Sequence, residues 1–215
     1  MKPSLAGLSV LLADDHAMVR IGFRLLLEGA GATVLGEAES GEQALRLYDE
    51  VRPDVLTMDV SMPGIGGLAA LERLRAHHPA ARVLMLSAHH DAVIPVRALR
   101  AGAAGYLCKR CLPQELIQAV RLVGQDRRYL DPELAQRVAL TQLSGAAHPA
   151  QALTDKEFTV FLQLAQGRSV NEVASDFHLS ASTIGTHLYH IKQKLNASNA
   201  AELAVIAMRA GLIEA

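Results

Sequence analysis

Asp14-Asp15, Asp59, Ser87 and Lys109 each stand at or just past the end of a short apolar run. Leu8-Ser-Val-Leu-Leu-Ala leads into Asp14-Asp15, and Val55-Leu-Thr-Met leads into Asp59. Arg82-Val-Leu-Met-Leu precedes Ser87, and Ala103-Ala-Gly-Tyr-Leu-Cys precedes Lys109. Short apolar runs separated by helical stretches read as parallel strands buried on both faces. In an open α/β sheet, side chains at the carboxyl ends of the strands converge on one crevice, where ligands bind. Three carboxylates, a hydroxyl and an ammonium would meet there. That set can hold a divalent cation and move a phosphoryl group.

Each residue type has a defined use. Mg²⁺ takes hard oxygen ligands and is usually bound through one or two carboxylates. Asp14, Asp15 and Asp59 can supply or orient that shell, and the cation relieves the repulsion among them. An ionised carboxylate can also act as the nucleophile and give an aspartyl-phosphate; Asp59, alone at its strand end, is the candidate. Lys109 would pair with the added phosphoryl oxygens, and the Ser87 hydroxyl would hydrogen-bond one of them. A lone Asp after a strand is most often a cap or turn residue. The set on successive strand ends argues otherwise.

The elements that must position these residues alternate in type. Ser40-Gly-Glu-Gln43 is a capping box opening a helix through Asp49, halted by Pro53. Gly66-Gly67 precedes an amphipathic run from Leu68 to His77, and Pro113 starts a helix through Val123. Five strands alternating with five helices predict a doubly wound, five-stranded parallel sheet of flavodoxin-like type. Asp131-Pro132 then starts a short helix to about Gln142. Leu143-Ser-Gly-Ala-Ala-His-Pro-Ala-Gln is small and polar, the candidate flexible joint.

The last stretch reads as a small all-α domain. Thr154-Asp-Lys-Glu157 is another capping box, ahead of Phe158, Phe161, Leu162 and Ala165 at helical spacing, with Gly167 as the stop. Ser169 opens a second helix, and His178-Leu179-Ser180 turns tightly into a third. Ile184, Leu188, Ile191 and Leu195 form one stripe of that third helix. Ser182, Thr183, Thr186, His187, His190, Lys192 and Lys194 lie on its other faces, and Asn199-Ala-Ala-Glu202 begins a fourth helix. Helix, tight turn and a helix with polar donors is the helix-turn-helix arrangement for the major groove.

Two resemblances cover nearly the whole chain. Leu12-Ala-Asp-Asp-His16, Met58-Asp-Val-Ser-Met-Pro-Gly64, Leu86-Ser87-Ala-His and Ala101-Gly-Ala-Ala-Gly-Tyr-Leu-Cys-Lys109 resemble the receiver domain of bacterial two-component response regulators. That resemblance implies phosphorylation of Asp59 by a sensor histidine kinase. It further implies Mg²⁺ at Asp14, Asp15, Asp59 and the Ser61 carbonyl, and a switch pair formed by Ser87 and Tyr106. Leu153-Thr-Asp-Lys-Glu157, Leu164-Ala-Gln-Gly167, Asn171-Glu-Val-Ala174, Leu179-Ser180, Thr183-Ile184, Thr186-His187 and Lys194-Leu195 resemble the LuxR-type DNA-binding domain of the NarL/FixJ class. Within that class Ser61-Met-Pro63 and the run from Lys109 to Leu116 are similar to regulators of hexose-phosphate uptake. The expected layout is a receiver over 7–125, a linker with a short helix over 126–149, and the helix-turn-helix domain over 150–215.

The expected function is a cytoplasmic transcription regulator. Phosphorylation would favour a homodimer that sets two helix-turn-helix units on double-stranded DNA half-sites about one turn apart. Slow loss of the phosphoryl group would not make it an enzyme in the metabolic sense. The alternative is a phosphorylation-independent regulator with a vestigial receiver. Composition agrees: half the residues are hydrophobic and 4% aromatic, so the core is aliphatic. No apolar run reaches the roughly 18 residues needed to span a membrane, and two cysteines suit a reducing compartment.

Three features depart from the pattern or compete with it. The resembling family places a lysine where this chain has Gly185, which costs helix propensity and removes a phosphate or base contact. From residue 150 onward five basic residues face six acidic ones, so affinity through counterion release should be modest; a helical bundle that has lost DNA binding is the rival reading. Cys108-Lys-Arg-Cys111 could be a redox pair, with neighbouring cations lowering a thiol pKa. Cys108 ends an apolar run, however, so a buried, inert pair is expected. His89-His90 are expected simply to face solvent.

Overall fold

The structure is a computed structural model that describes residues 4–88, 93–143 and 149–213. His89-His90 and the centre of the small polar joint lie outside these residues. The chain forms two compact units, Met1–Ala88 with Ala98–Pro132 and His89–Arg97 with Glu133–Ala215.

The first unit is built on strands β1 (Ser9–Ala13), β2 (Thr33–Ala38), β3 (Val55–Asp59), β4 (Val83–Ser87), β5 (Gly105–Cys108) and β6 (Tyr129–Leu130), in the order β2-β1-β3-β4-β5-β6. Every described pairing is parallel. All residues of β3, β4 and β5 are buried, which is why these strands read as continuous apolar runs and not as alternating ones. Val10, Leu12, Val55, Leu84, Leu86 and Leu107 share a core with Leu27 of α1 (Ala17–Gly29) and with Leu116, Ala119, Val120 and Val123 of α5 (Pro113–Gly124). Helices α2 (Gly41–Val51) and α3 (Gly66–His77) also belong to this unit, and α4 (Val93–Arg100) follows β4 in the chain.

The sheet has six strands where five are expected. Tyr129-Leu130 adds beside β5, with Tyr129 N–H donating to the Ala104 carbonyl and Asp131 N–H to the Tyr106 carbonyl, each at 3.1 Å. A strand of two residues carries no periodicity, so sequence patterning could not find it. It covers an edge that would otherwise expose unpaired backbone groups. The helix expected after Asp131 is α6 (Pro132–Leu143).

Caps confirm the helix starts. Ser40 accepts from the Gln43 N–H at the head of α2, and Thr154 accepts from the Glu157 N–H at the head of α7 (Asp155–Ala165). Helices α8 (Val170–Phe177), α9 (Ala181–Leu195) and α10 (Ala200–Arg209) follow, starting behind Ser169, Ser180 and Asn199. The α8–α9 turn is short because His178 takes a left-handed conformation, φ 54°. Phe158, Phe161, Val173, Ile184, Ile191, Leu203 and Ala207 are buried among α7–α10. Burial of each large apolar side chain contributes roughly 1.5–3 kcal/mol. No strand occurs among the described residues of this unit.

Candidate functional site

Strand register brings the acidic residues together. Ala13 pairs with Met58, so the following residues, Asp14 and Asp59, leave the sheet side by side. They do so where strand order reverses between β1 and its two neighbours, the place at which open α/β sheets bind ligands. Asp59 pairs with Leu86, and Ser87 with Cys108, which sets Ser87 and Lys109 one step further along the same rim. The Lys109 N–H donates to the Ser87 carbonyl at 2.8 Å.

Asp14 and Asp59 are each 2% exposed. The Lys109 ammonium lies 2.7 Å from Oδ2 of Asp14 and 2.7 Å from Oδ2 of Asp59. Burial pushes the Asp59 carboxyl up; Lys109 pulls it down and Asp14 adds to the rise, and the net direction is upward. The Ser61 backbone amide nearby favours the ionised form. Burial opposes the charge on Lys109, but Asp59 and Asp14 more than offset this and raise its pKa. Ligand atoms of Asp14, Asp15, His16 and Asp59 all lie within 4.8 Å of one another. Three carboxylates against one ammonium leave two negative charges, matching one divalent cation. The oxygen donors suit a hard ion such as Mg²⁺.

The loop after β3 is fitted tightly behind Asp59. A Cβ on Gly67 would sit 1.9 Å from the Asp59 carbonyl oxygen, so only glycine permits this approach. Tyr106 is fully buried, its ring inside the fold. Ser87 is buried as well.

On α9 the buried residues Ile184, Ile191 and Leu195 turn Ser182, Thr186, Tyr189 and Gln193 to the opposite side at 100° per residue. Ser182, Thr186 and Gln193 are exposed, and Tyr189 is 61% exposed. Tyr189 and Gln193 are absent from the sequence-derived candidates; stepping around the helix from Ile184 finds both. Thr183 and His187 are half-buried flanking residues, and His190 is exposed. The two lysines are engaged within the protein. Lys192 Nζ donates to the Ser198 carbonyl at 3.2 Å, and Lys194 Nζ donates to Oε2 of Glu157 at 2.6 Å. Gly185 has open space where a side chain would extend.

Cys108 and Cys111 are both free thiols, the first buried and the second half-buried. Burial pushes the Cys111 thiol up to about 11, with Glu115 and Cys108 adding to the rise. The lysine and arginine between them do not lower it.

An acidic pocket at the switch point of a parallel sheet, on the same chain as a helix-turn-helix bundle, defines a phosphorylation-type receiver joined to a DNA-reading module. Residues 10–121 match the response regulator receiver domain, and residues 151–207 match the luxR family of bacterial regulatory proteins. The chain therefore belongs to the two-component response regulators that carry a LuxR-type DNA-binding domain. It is 39% identical over 209 residues to the response regulator GacA of Pseudomonas viridiflava, covering 96% of this chain and 98% of that one. It is 38% identical over 211 residues to the response regulator UvrY of Escherichia coli K12, covering 97% of each. Among solved structures it resembles RcsB of Salmonella enterica serovar Typhimurium, bound to a promoter in the presence of phosphomimetic BeF3⁻, with TM-score 0.74 and 25% identity over 93% of this chain and 97% of that one. No helix of the described residues is long and apolar enough to cross a membrane.

Proposed function

We propose that Asp59 is the phosphoacceptor and that a sensor histidine kinase is the donor. A carboxylate oxygen of Asp59 forms a bond to phosphorus as the phosphorus–nitrogen bond of the donor's phosphohistidine breaks. The departing imidazole nitrogen keeps the electron pair. The single observation that carries this reading is the buried Asp14–Lys109–Asp59 cluster, with 2.7 Å on each side of the ammonium. Asp14, Asp15, Asp59 and the Ser61 carbonyl would hold Mg²⁺, which neutralises charge on the phosphoryl oxygens. Lys109 and Ser87 receive those oxygens afterwards, and Tyr106 follows Ser87.

The added group brings about 1.5 to 2 negative charges and three acceptors, enough to bias a two-state surface towards a homodimer. The dimer presents two copies of α9 to double-stranded DNA, as the promoter-bound RcsB relative makes reasonable. On this reading 7–125 is the receiver, 126–149 the joint and 150–215 the DNA-binding domain. The protein works in the cytoplasm as a regulator, not a metabolic enzyme. In α9, Ser182, Thr186, Tyr189 and Gln193 face the groove, with His190 and Lys192 beside them.

The test is intact mass after incubation with a small phosphoryl donor and Mg²⁺, for the parent and Asp59→Asn, with size-exclusion chromatography alongside. One phosphoryl adduct in the parent, none in Asp59→Asn and a shift towards dimer are expected. A parent that takes no adduct at any Mg²⁺ concentration favours the phosphorylation-independent alternative.

A further inference from the structure

Arg20 of α1 is a buried guanidinium outside the acidic pocket. It is 7% exposed, and burying a guanidinium is costly unless its donors are satisfied. It donates from Nη1 to the backbone carbonyl of Asp14 at 2.7 Å, from Nη2 to Oε1 of Glu39 at 2.5 Å, and from Nε to Oε2 of Glu37 at 3.2 Å. Glu37 lies on β2, the strand beside β1, and is also held by Arg24 Nε at 2.6 Å. Arg20 thus ties the residue that opens the acidic turn to the strand next to it. Within that turn the His16 N–H donates to Oδ1 of Asp14 at 2.9 Å, while Oδ2 faces Lys109. The Asp14 carboxylate is thereby held from two sides, by the His16 N–H and the Lys109 ammonium, while Arg20 holds the backbone carbonyl of the same residue.

We propose that Arg20 is a positioning residue for the divalent-cation site: by gripping the Asp14 carbonyl it sets the direction in which the Asp14 carboxylate meets the ion. The inference rests on the reading of the pocket given above. It differs in sign from a simple charge effect. Removing a cation beside three carboxylates makes the pocket more negative and, by Coulomb attraction alone, would tighten Mg²⁺ binding. Losing a positioning contact weakens it, and groups that orient metal ligands are typically worth about 10- to 100-fold in affinity.

The experiment is calorimetric titration of the full chain with Mg²⁺, for the parent, Arg20→Gln, Arg20→Lys and Arg24→Gln, with thermal melting of each. Arg24→Gln removes an arginine from the same cluster that has no bond to the acidic turn. The expected result is an Mg²⁺ Kd raised about tenfold or more in Arg20→Gln, an intermediate rise in Arg20→Lys, and a parental Kd in Arg24→Gln. The Mg²⁺ concentration that gives half-maximal phosphoryl adduct should rise in parallel. An Arg20→Gln protein that binds Mg²⁺ as well as or better than the parent overturns the proposal, as does an equal loss in Arg24→Gln. If Arg20→Gln does not fold, the comparison of Arg20→Lys with Arg24→Gln decides by the same criteria. A parent that binds no Mg²⁺ overturns the pocket reading itself, whereas a binding parent with unaffected Arg20 variants overturns this inference alone.

Discussion

Lys194, in the last turn of the helix proposed to enter the groove, gives its ammonium to the buried carboxylate of Glu157 at 2.6 Å. Oε2 of Glu157 also accepts from the Thr154 N–H at 2.8 Å, closing the capping box of α7. One carboxylate therefore joins the start of α7 to the end of α9. Lys194 works for the fold and is withdrawn from the set of free cations available to phosphates.

A pH dependence follows from this pair. Burial raises the Glu157 pKa, but hydrogen bonds from Lys194 and Thr154 more than offset it, and the net direction is down from 4.5. A carboxyl depressed in the folded state contributes stability that is complete above its unfolded pKa. That contribution is lost as pH falls through the folded value. Glu157→Gln should therefore destabilise the helical unit at pH 7 by about 1–3 kcal/mol. The difference from the parent should shrink as pH falls below 4.5. Chemical denaturation of both proteins across that range measures it; a difference independent of pH would show that the charge is immaterial.

DNA affinity should rise on filling the gap in α9. Gly185→Lys adds a cation into open space and removes a helix-interior glycine worth about 1 kcal/mol. The slope of log K against log salt should steepen by about 0.9 for one new phosphate contact. Lys194→Ala should leave that slope unchanged and lower the melting temperature instead. Tyr189→Ala should weaken binding about tenfold, or ~1.4 kcal/mol. Salt-dependent fluorescence anisotropy with a target duplex separates the three. An unchanged affinity in Tyr189→Ala would move the reading face away from this side of α9.

The strand ends of the receiver were legible because buried parallel strands are continuous apolar runs and their last residues are polar. Asp14, Asp59, Ser87 and Lys109 all lie where that pattern places them. The sixth strand was illegible because Tyr129-Leu130 is too short to show a period. The assignment of faces on α9 was only half legible. Ile184, Leu188, Ile191 and Leu195 announce the core side, but residue type drew attention to Lys194, whereas angle points to Tyr189 and Gln193. A salt bridge to a residue 37 positions away leaves no local trace in the chain. Arg20 is hidden for the same reason: its partners Glu37, on β2, and Glu39, just past its end, become neighbours only through the sheet.

Gly67→Ala should be costly although it adds one carbon. The new Cβ would stand 1.9 Å from the Asp59 carbonyl oxygen, so either α3 or the end of β3 must move. Overpacking of this kind costs about 1–3 kcal/mol, occasionally more. Because the displaced residue is the proposed phosphoacceptor, the rate of adduct formation should fall along with stability. Urea melts and time-resolved intact mass report the two effects. A variant with parental stability and parental rate would mean that the loop yields freely.

The thiols give the last test. At a pKa of about 11 instead of the 9.0 of a free thiol, the thiolate fraction of Cys111 at neutral pH is lower by about a hundredfold. Cys108 is buried and shielded from reagents. Both should react with a disulfide reagent on the order of a hundred times more slowly in the folded protein than after denaturation. The sequence Cys-Lys-Arg-Cys suggests the opposite, since adjacent cations usually activate a thiol. Here desolvation dominates, and the Glu115 carboxylate adds to it. Timed thiol titration with and without denaturant distinguishes the two. Rapid modification of the native protein would restore the redox reading of this turn, and slow modification would leave Cys108 and Cys111 as packing residues beside Lys109.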